Sequence, residues 1–195
     1  MKFESTLISN VWIVTHEIYK DSRGSFQEWF KQSDIFKEAG ISFVPKQANI
    51  SISSKGTIRG IHYSVADGGQ SKWVSCLSGA VRDFFVDLRI DSPTFLEWGF
   101  TDLDPTLGRT VLMGKGIGHA FQALENDSTL VYLLDGEYLP EKEFSINPFS
   151  DRIKIDWPIS RRRYYGTEIP IWYCKKCSEP YLPEPGEYYQ PWYLE

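Results

Sequence analysis

Between Val11 and Trp157 apolar and polar residues alternate in short runs, and turn residues punctuate the runs. Such alternation buries one face only in an extended strand, because successive side chains of a strand point to opposite sides. Ala48–Ser53, Thr57–His62, Ala80–Arg89, Arg109–Met113 and Ser128–Leu134 all carry the pattern, and Ser25–Phe30 follows a turn at Asp21–Gly24. Helical periodicity is almost absent. One short helix is expected over Asp34–Ala39, capped by Ser33 and stopped by Gly40. Many short strands at this spacing predict an all-β fold, an antiparallel sandwich or barrel with one or two short helices. Asp83 and Asp87 fall on one face of their strand, and carboxylates on an inward face predict a barrel that encloses a site.

Composition narrows the function. The 195 residues are 42% hydrophobic and 24% charged, which fits a globular chain and excludes collagen-like or wholly disordered ones. No apolar run approaches the length that spans a bilayer, and Met1–Ser5 opens no signal-peptide stretch, so no membrane association is expected. A net charge of -5 argues against binding nucleic acid through a bulk positive field. Three cysteines make no disulfide framework, so a reducing, cytoplasmic setting is expected.

Three histidines are available for chemistry. His16 sits in an amphipathic strand without polar company and reads as structural. His119 lies in the Gly-rich turn and strand Gly114–Phe121. His62 ends a strand after Arg59-Gly60-Ile61, and Arg59, Lys72, Asn49 and Gln47 gather around it in the chain order. Arg23 and Arg59 each adjoin a glycine, an arrangement that lets a planar guanidinium approach a phosphate closely. A catalytic metal is not expected, because no His-x-His pair or third ligand accompanies His62.

The segments Asp21-x-Arg23-Gly24-x-Phe26-x-Glu28, Gln47-x-Asn49-x-Ser51-x-Ser53 and Gly56-x-x-Arg59-Gly60-x-His62 resemble the dTDP-4-dehydrorhamnose 3,5-epimerase family. The likeness continues through Lys72, Asp83, Asp87-Leu88-Arg89-x-x-Ser92-Pro93-Thr94, Gly118-His119, Tyr132, Tyr138-x-Pro140-x-x-Glu143 and Ile155-Asp156-Trp157-Pro158. The resemblance implies a cupin-type jelly roll, no cofactor, and a homodimer with shared active sites. It implies His62 as base, Lys72 as enolate stabiliser and Tyr132 as acid on the opposite face. By the same resemblance Arg23, Arg59 and Gln47 contact a diphosphate, with Asn49 in support. Phe26, Glu28 and Tyr138 stand near a thymidine, and His119 and Glu143 belong to the substrate pocket. The family's Asp21–Glu28 region reaches into the neighbouring subunit's site.

Two departures stand out. The carboxylate that orients the family's catalytic histidine belongs to a Ser-x-Lys-Asp segment, absent from Ser160–Glu168 here, so Asp83 and Glu168 are the candidate substitutes. Ser64 replaces the family's usual Gln. Beside double epimerisation, a single epimerisation, a ketone shift on the same fold, and a nucleotide-sugar-binding protein impaired in catalysis remain open.

The last residues differ in kind. Pro158–Glu195 holds six of the eleven prolines and seven of the eleven tyrosines, with five basic residues against five acidic. The division expected is an epimerase-type barrel over 1–157 and an extension over 158–195 without a core of its own. Ile159–Cys177 resembles the stretch of class I valyl- or isoleucyl-tRNA synthetases that runs into a zinc knuckle. Cys174 and Cys177 would supply half of a zinc tetrahedron. The run Arg161-Arg162-Arg163 reads as a solvated face.

Overall fold

A computed structural model of the chain describes residues 1–150, 153 and 155, and the backbone of 172–173 and 180–181. The chain divides into two compact units, Met1–Asp156 and Trp157–Glu195. In the second, Trp172–Tyr173 pairs antiparallel with Pro180–Tyr181.

The first unit is an antiparallel jelly-roll barrel. Its strands are β1 (Lys2–Ser5), β2 (Val11–Thr15), β3 (Tyr19–Asp21), β4 (Gly24–Phe26) and, after helix α1 (Gln32–Ala39), β5 (Gln47–Ser53). There follow β6 (Ile58–Ser64), β7 (Lys72–Ser78), β8 (Val81–Asp87), β9 (Trp98–Leu103) and β10 (Arg109–Met113). The series closes with β11 (Ile117–Ala123), β12 (Ser128–Leu134) and β13 (Glu143–Ser145). One sheet runs β1-β2-β10-β7-β12-β5, the facing sheet β13-β6-β11-β8-β9, and β3 pairs with β4 as a hairpin. β10 and β12 have the bounds that their alternation predicts.

The space between the sheets has a dry part and a wet part. The dry part is a core in which Val11, Val74, Val111 and Leu130 of the first sheet meet Phe85, Leu103, Ile117 and Phe121 of the second. The outer face of the first sheet carries a second core, where Trp73 and Leu112 are fully buried beside Ile35 of α1 and Phe43.

Three local expectations need correction. The helix starts at Gln32 with Lys31 at its N-cap and no side-chain cap, so Ser33 lies inside the first turn and does not cap it. Gly40 ends the helix as expected, at φ 69°. The strand after the Asp21–Gly24 turn stops at Phe26 instead of running to Phe30, because Trp29 and Phe30 turn onto the second core. His16 has polar company: its ring bonds the Glu28 carbonyl at 3.0 Å through Nδ1 and Thr110 Oγ1 at 2.7 Å through Nε2. Those partners lie 12 and 94 residues away, beyond the reach of local pattern.

Candidate active site

A cavity of about 430 Å³ opens at the wet part of the barrel, and both sheets line it. From the first sheet come Gln47, Asn49 and Ser51 on β5, Lys72 at the start of β7, and Tyr132 on β12. From the second come Arg59 and His62 on β6, His119 and Phe121 on β11, and Glu143 on β13; Tyr138 stands at the rim. The period of two explains this placement: Gln47, Asn49 and Ser51 point inward while Ala48, Ile50 and Ile52 point out.

Register fixes the chemistry. His62 and His119 are cross-strand partners on β6 and β11. Gly60 permits this approach: its φ is +115°, and a Cβ there would lie 2.5 Å from the His119 carbonyl oxygen and 2.7 Å from Ala120 Cα. Tyr132 belongs to the other sheet, where it is paired with Asn49 and Val74, and its ring meets that of His119 edge-on at 6.4 Å between centroids. His62 and Tyr132 thus belong to opposite walls of one cavity.

The electrostatics follow from burial. Lys72 is buried and donates to the His62 carbonyl at 3.2 Å. Burial pushes its pKa down to about 8, against the pull of Glu143 and Asp83. The His62 imidazole is held below its ordinary pKa by burial first, then by the charge of Lys72 and by His119 and Arg59. It is therefore mostly neutral at pH 7, the form a base requires. Arg59 donates through Nε to Ser53 Oγ at 3.1 Å. Gln47 Nε2 donates to Asn49 Oδ1 at 2.9 Å, and the Tyr138 backbone N–H donates to Gln47 Oε1 at 2.7 Å.

Asp83 does not orient His62. It is fully buried and its Oδ2 lies 2.7 Å from Nε2 of His119. The sheet order explains this, since β11 lies between β8 and β6 and carries His119 between the carboxylate and His62. Among the described residues no carboxylate bonds His62, and Glu168, the other candidate, lies outside them.

Arg23, Phe26 and Glu28 do not reach the cavity of their own chain. Arg23 and Phe26 sit on the exposed β3–β4 hairpin around a separate hollow, and Arg23 is forked onto Asp21. The Glu28 carboxylate faces Lys31 at 3.9 Å. Ser51 and Gln70 line the cavity although the residue types around His62 did not single them out. Ser51 was findable, because it shares the inward period of Gln47 and Asn49. Among the described residues no three His, Cys, Asp or Glu side chains group to hold a metal ion, and no helix is long and apolar enough to cross a membrane. Cys174, Cys177 and Arg161–Arg163 lie outside the described residues.

Comparison with known proteins gives a consistent picture. A dTDP-4-dehydrorhamnose 3,5-epimerase of Mycolicibacterium smegmatis is 40% identical over 151 residues, 77% of this chain and 74% of the relative. A dTDP-4-dehydrorhamnose 3-epimerase of Streptomyces niveus is 40% identical over 158 residues, 81% of this chain and 76% of the relative. The RmlC epimerase structure of Mycobacterium tuberculosis superposes with a TM-score of 0.79 at 38% identity, over 82% of this chain and 80% of that one. The Legionella pneumophila RmlC structure, in complex with dTDP-4-keto-L-rhamnose, superposes with a TM-score of 0.78 at 36% identity, over 82% and 85%. The family model described as dTDP-4-dehydrorhamnose 3,5-epimerase matches residues 5–171. That match runs past Ile159, through the first part of the synthetase-like segment, and none of these relatives supports the synthetase resemblance. With a jelly-roll barrel, a two-walled polar cavity and a family match over most of its length, the chain belongs to the dTDP-4-dehydrorhamnose 3,5-epimerase family.

Proposed function

We propose that this chain inverts C3 and C5 of a deoxythymidine diphosphate-linked 4-keto-6-deoxyhexose. The observation that carries this reading is the placement of His62 and Tyr132 on opposite walls of one cavity, with the buried Lys72 beside His62. The ketone acidifies the C–H bonds on either side of it. Neutral His62 takes a proton from one of these carbons, and the C–H electron pair moves into a C=C bond as charge passes to the ketone oxygen. Lys72 stabilises that oxygen as an enolate, an interaction stronger in the transition state than in the ground state. The Tyr132 hydroxyl delivers a proton to the other face of the carbon, the ketone re-forms, and solvent resets both groups. The electron pair stays within the sugar, so the step needs no redox cofactor.

Arg59, Gln47 and Asn49 hold the diphosphate in this reading, Glu143 and His119 contact the sugar, and Tyr138 offers a ring face for the base. Arg23, Phe26 and Glu28 complete the site of a second copy, which makes the working unit a homodimer; the exposure of Phe26 (69%) on its hairpin supports this. Its cysteine content suits a cytoplasmic enzyme.

The test is solvent exchange. In D2O with dTDP-4-keto-6-deoxyglucose, proton NMR should show deuterium entering at both C3 and C5. Exchange at one carbon alone makes the chain a single epimerase, like the relatives named 3-epimerases. dTDP binding without exchange favours the second reading, a nucleotide-sugar-binding protein impaired in catalysis, which the lack of a carboxylate bonded to His62 among the described residues recommends. His62→Ala should slow exchange by about 100-fold or more. Tyr132→Phe should exchange without inversion, because a lone base returns the proton to the face it came from. Mixing Arg23→Ala with His62→Ala subunits should restore exchange; no recovery would remove the shared site.

A further inference from the structure

The inward face of β5 forms a polar ladder with one unused rung. Gln47 is held by Tyr138 and holds Asn49, and Ser53 holds Arg59. Ser51, between Asn49 and Ser53, lines the cavity, yet its Oγ is buried without a hydrogen-bond partner. A buried hydroxyl left unpaired costs stability, and nothing in the strand's own pairing requires it, since Ser51 meets Leu130 across the ladder. A serine hydroxyl also moves easily: rotation about χ1 to another staggered rotamer turns Oγ toward the cavity with the backbone still.

The chemistry next to Ser51 says what it meets there. Two residues on, Ser53 tethers Arg59 by Nε alone, which leaves the guanidinium's terminal N–H groups for an anion. The cavity's other cation, Lys72, begins β7 beside Leu134, which pairs with Gln47 at the opposite end of β5. An anion drawn to Arg59 therefore lies at the Ser51 end of the ladder. We propose that Ser51 is a ligand-binding residue whose hydroxyl donates to a diphosphate oxygen held by Arg59. This rests on the nucleotide-sugar reading above and assigns a residue that reading does not use.

Calorimetry with dTDP and with thymidine tests the contact. Ser51→Ala should bind dTDP roughly ten- to a hundredfold more weakly, the range for a hydrogen bond to a charged group, and bind thymidine as the wild type does. Its melting temperature without ligand should equal or exceed that of the wild type, because the variant removes a buried unpaired hydroxyl. Unchanged dTDP affinity would overturn the contact, as would an equal loss for thymidine. A fall in melting temperature would also overturn it, by giving the hydroxyl a structural partner. Wild-type protein that fails to bind dTDP would overturn the nucleotide-sugar reading itself, a result distinct from loss of the contact alone.

Discussion

β8 carries two carboxylates on one face, four residues apart and both fully buried, yet they live in opposite circumstances. Asp87 is saturated. Its oxygens accept from Arg89 through Nε at 2.8 Å and from the Arg89 backbone N–H at 3.0 Å, and from the Ser92 and Thr94 hydroxyls at 2.5 and 2.7 Å. Those bonds outweigh burial and hold its carboxyl well below the usual range. Asp83 has His119 on one oxygen and nothing on the other. Burial pushes its carboxyl up, with His119 and Lys72 pulling the other way. A polar group completed by its own chain is structural, whereas one left incomplete beside a cavity costs stability and is available for chemistry. Ser51 and Glu143, also with unpaired buried oxygens, side with Asp83.

The most severe way to test this division is Asp87→Ala. It leaves the Arg89 guanidinium only Ser9 and Ser92 as partners and takes the carboxylate acceptor from the Ser92 and Thr94 hydroxyls, so stability in urea should fall by about 3–5 kcal/mol. A depressed carboxylate contributes stability above its unfolded pKa of about 4 and loses it as pH falls through the folded value. The gap between wild type and Asp87→Ala should therefore narrow in acid. A loss below about 1 kcal/mol would make the cluster decorative.

Asp83→Asn should do the reverse. The amide keeps a partner for His119 but removes the charge, so kcat/KM should fall roughly ten- to a hundredfold, about 1.4–2.7 kcal/mol. Stability at pH 7 should hold or rise, because a carboxyl whose folded pKa is raised loses stability when it ionises and regains it as pH falls. Any advantage of Asp83→Asn should shrink in acid. If this variant unfolds like Asp87→Ala while turnover per folded molecule is unchanged, the two carboxylates do the same job.

The placement of the two aspartates on one face is legible in the sequence, because strand period is a local property. Which partner each one finds is not. Asp87 is completed by residues two to seven positions on, within reach of local turn chemistry. Asp83 meets a histidine 36 residues away, and it meets His119 instead of His62 only because β11 enters the sheet between β8 and β6. Strand order is a global outcome that spacing does not encode. His16 and Trp29 show the same limit, as their hydrogen bonds to Thr110 and Ser75 cross the fold. The cavity set around β5, β6 and Lys72 was legible as residue types. The separation of Arg23, Phe26 and Glu28 from it was legible only through the family resemblance, because spacing alone does not say whether a hairpin folds back onto its own barrel.

The smallest effect is in the pH profile, and it separates the aspartates once more. The proposed mechanism needs His62 neutral and Lys72 charged. kcat/KM should rise with pH through the His62 pKa, below 6.5, and fall above about 8 as Lys72 loses its proton. One unit past that point the protonated fraction is about a tenth, so the loss is about tenfold. Lys72→Arg should keep the acid limb and lose the alkaline one, since arginine stays charged throughout. An alkaline limb unmoved in that variant would belong to another group. Asp83 is one of the two charges that keep Lys72 protonated, so Asp83→Asn should draw the alkaline limb to lower pH. Asp87 is not among them, and its loss should leave the limb where it stands in whatever fraction of the protein remains folded.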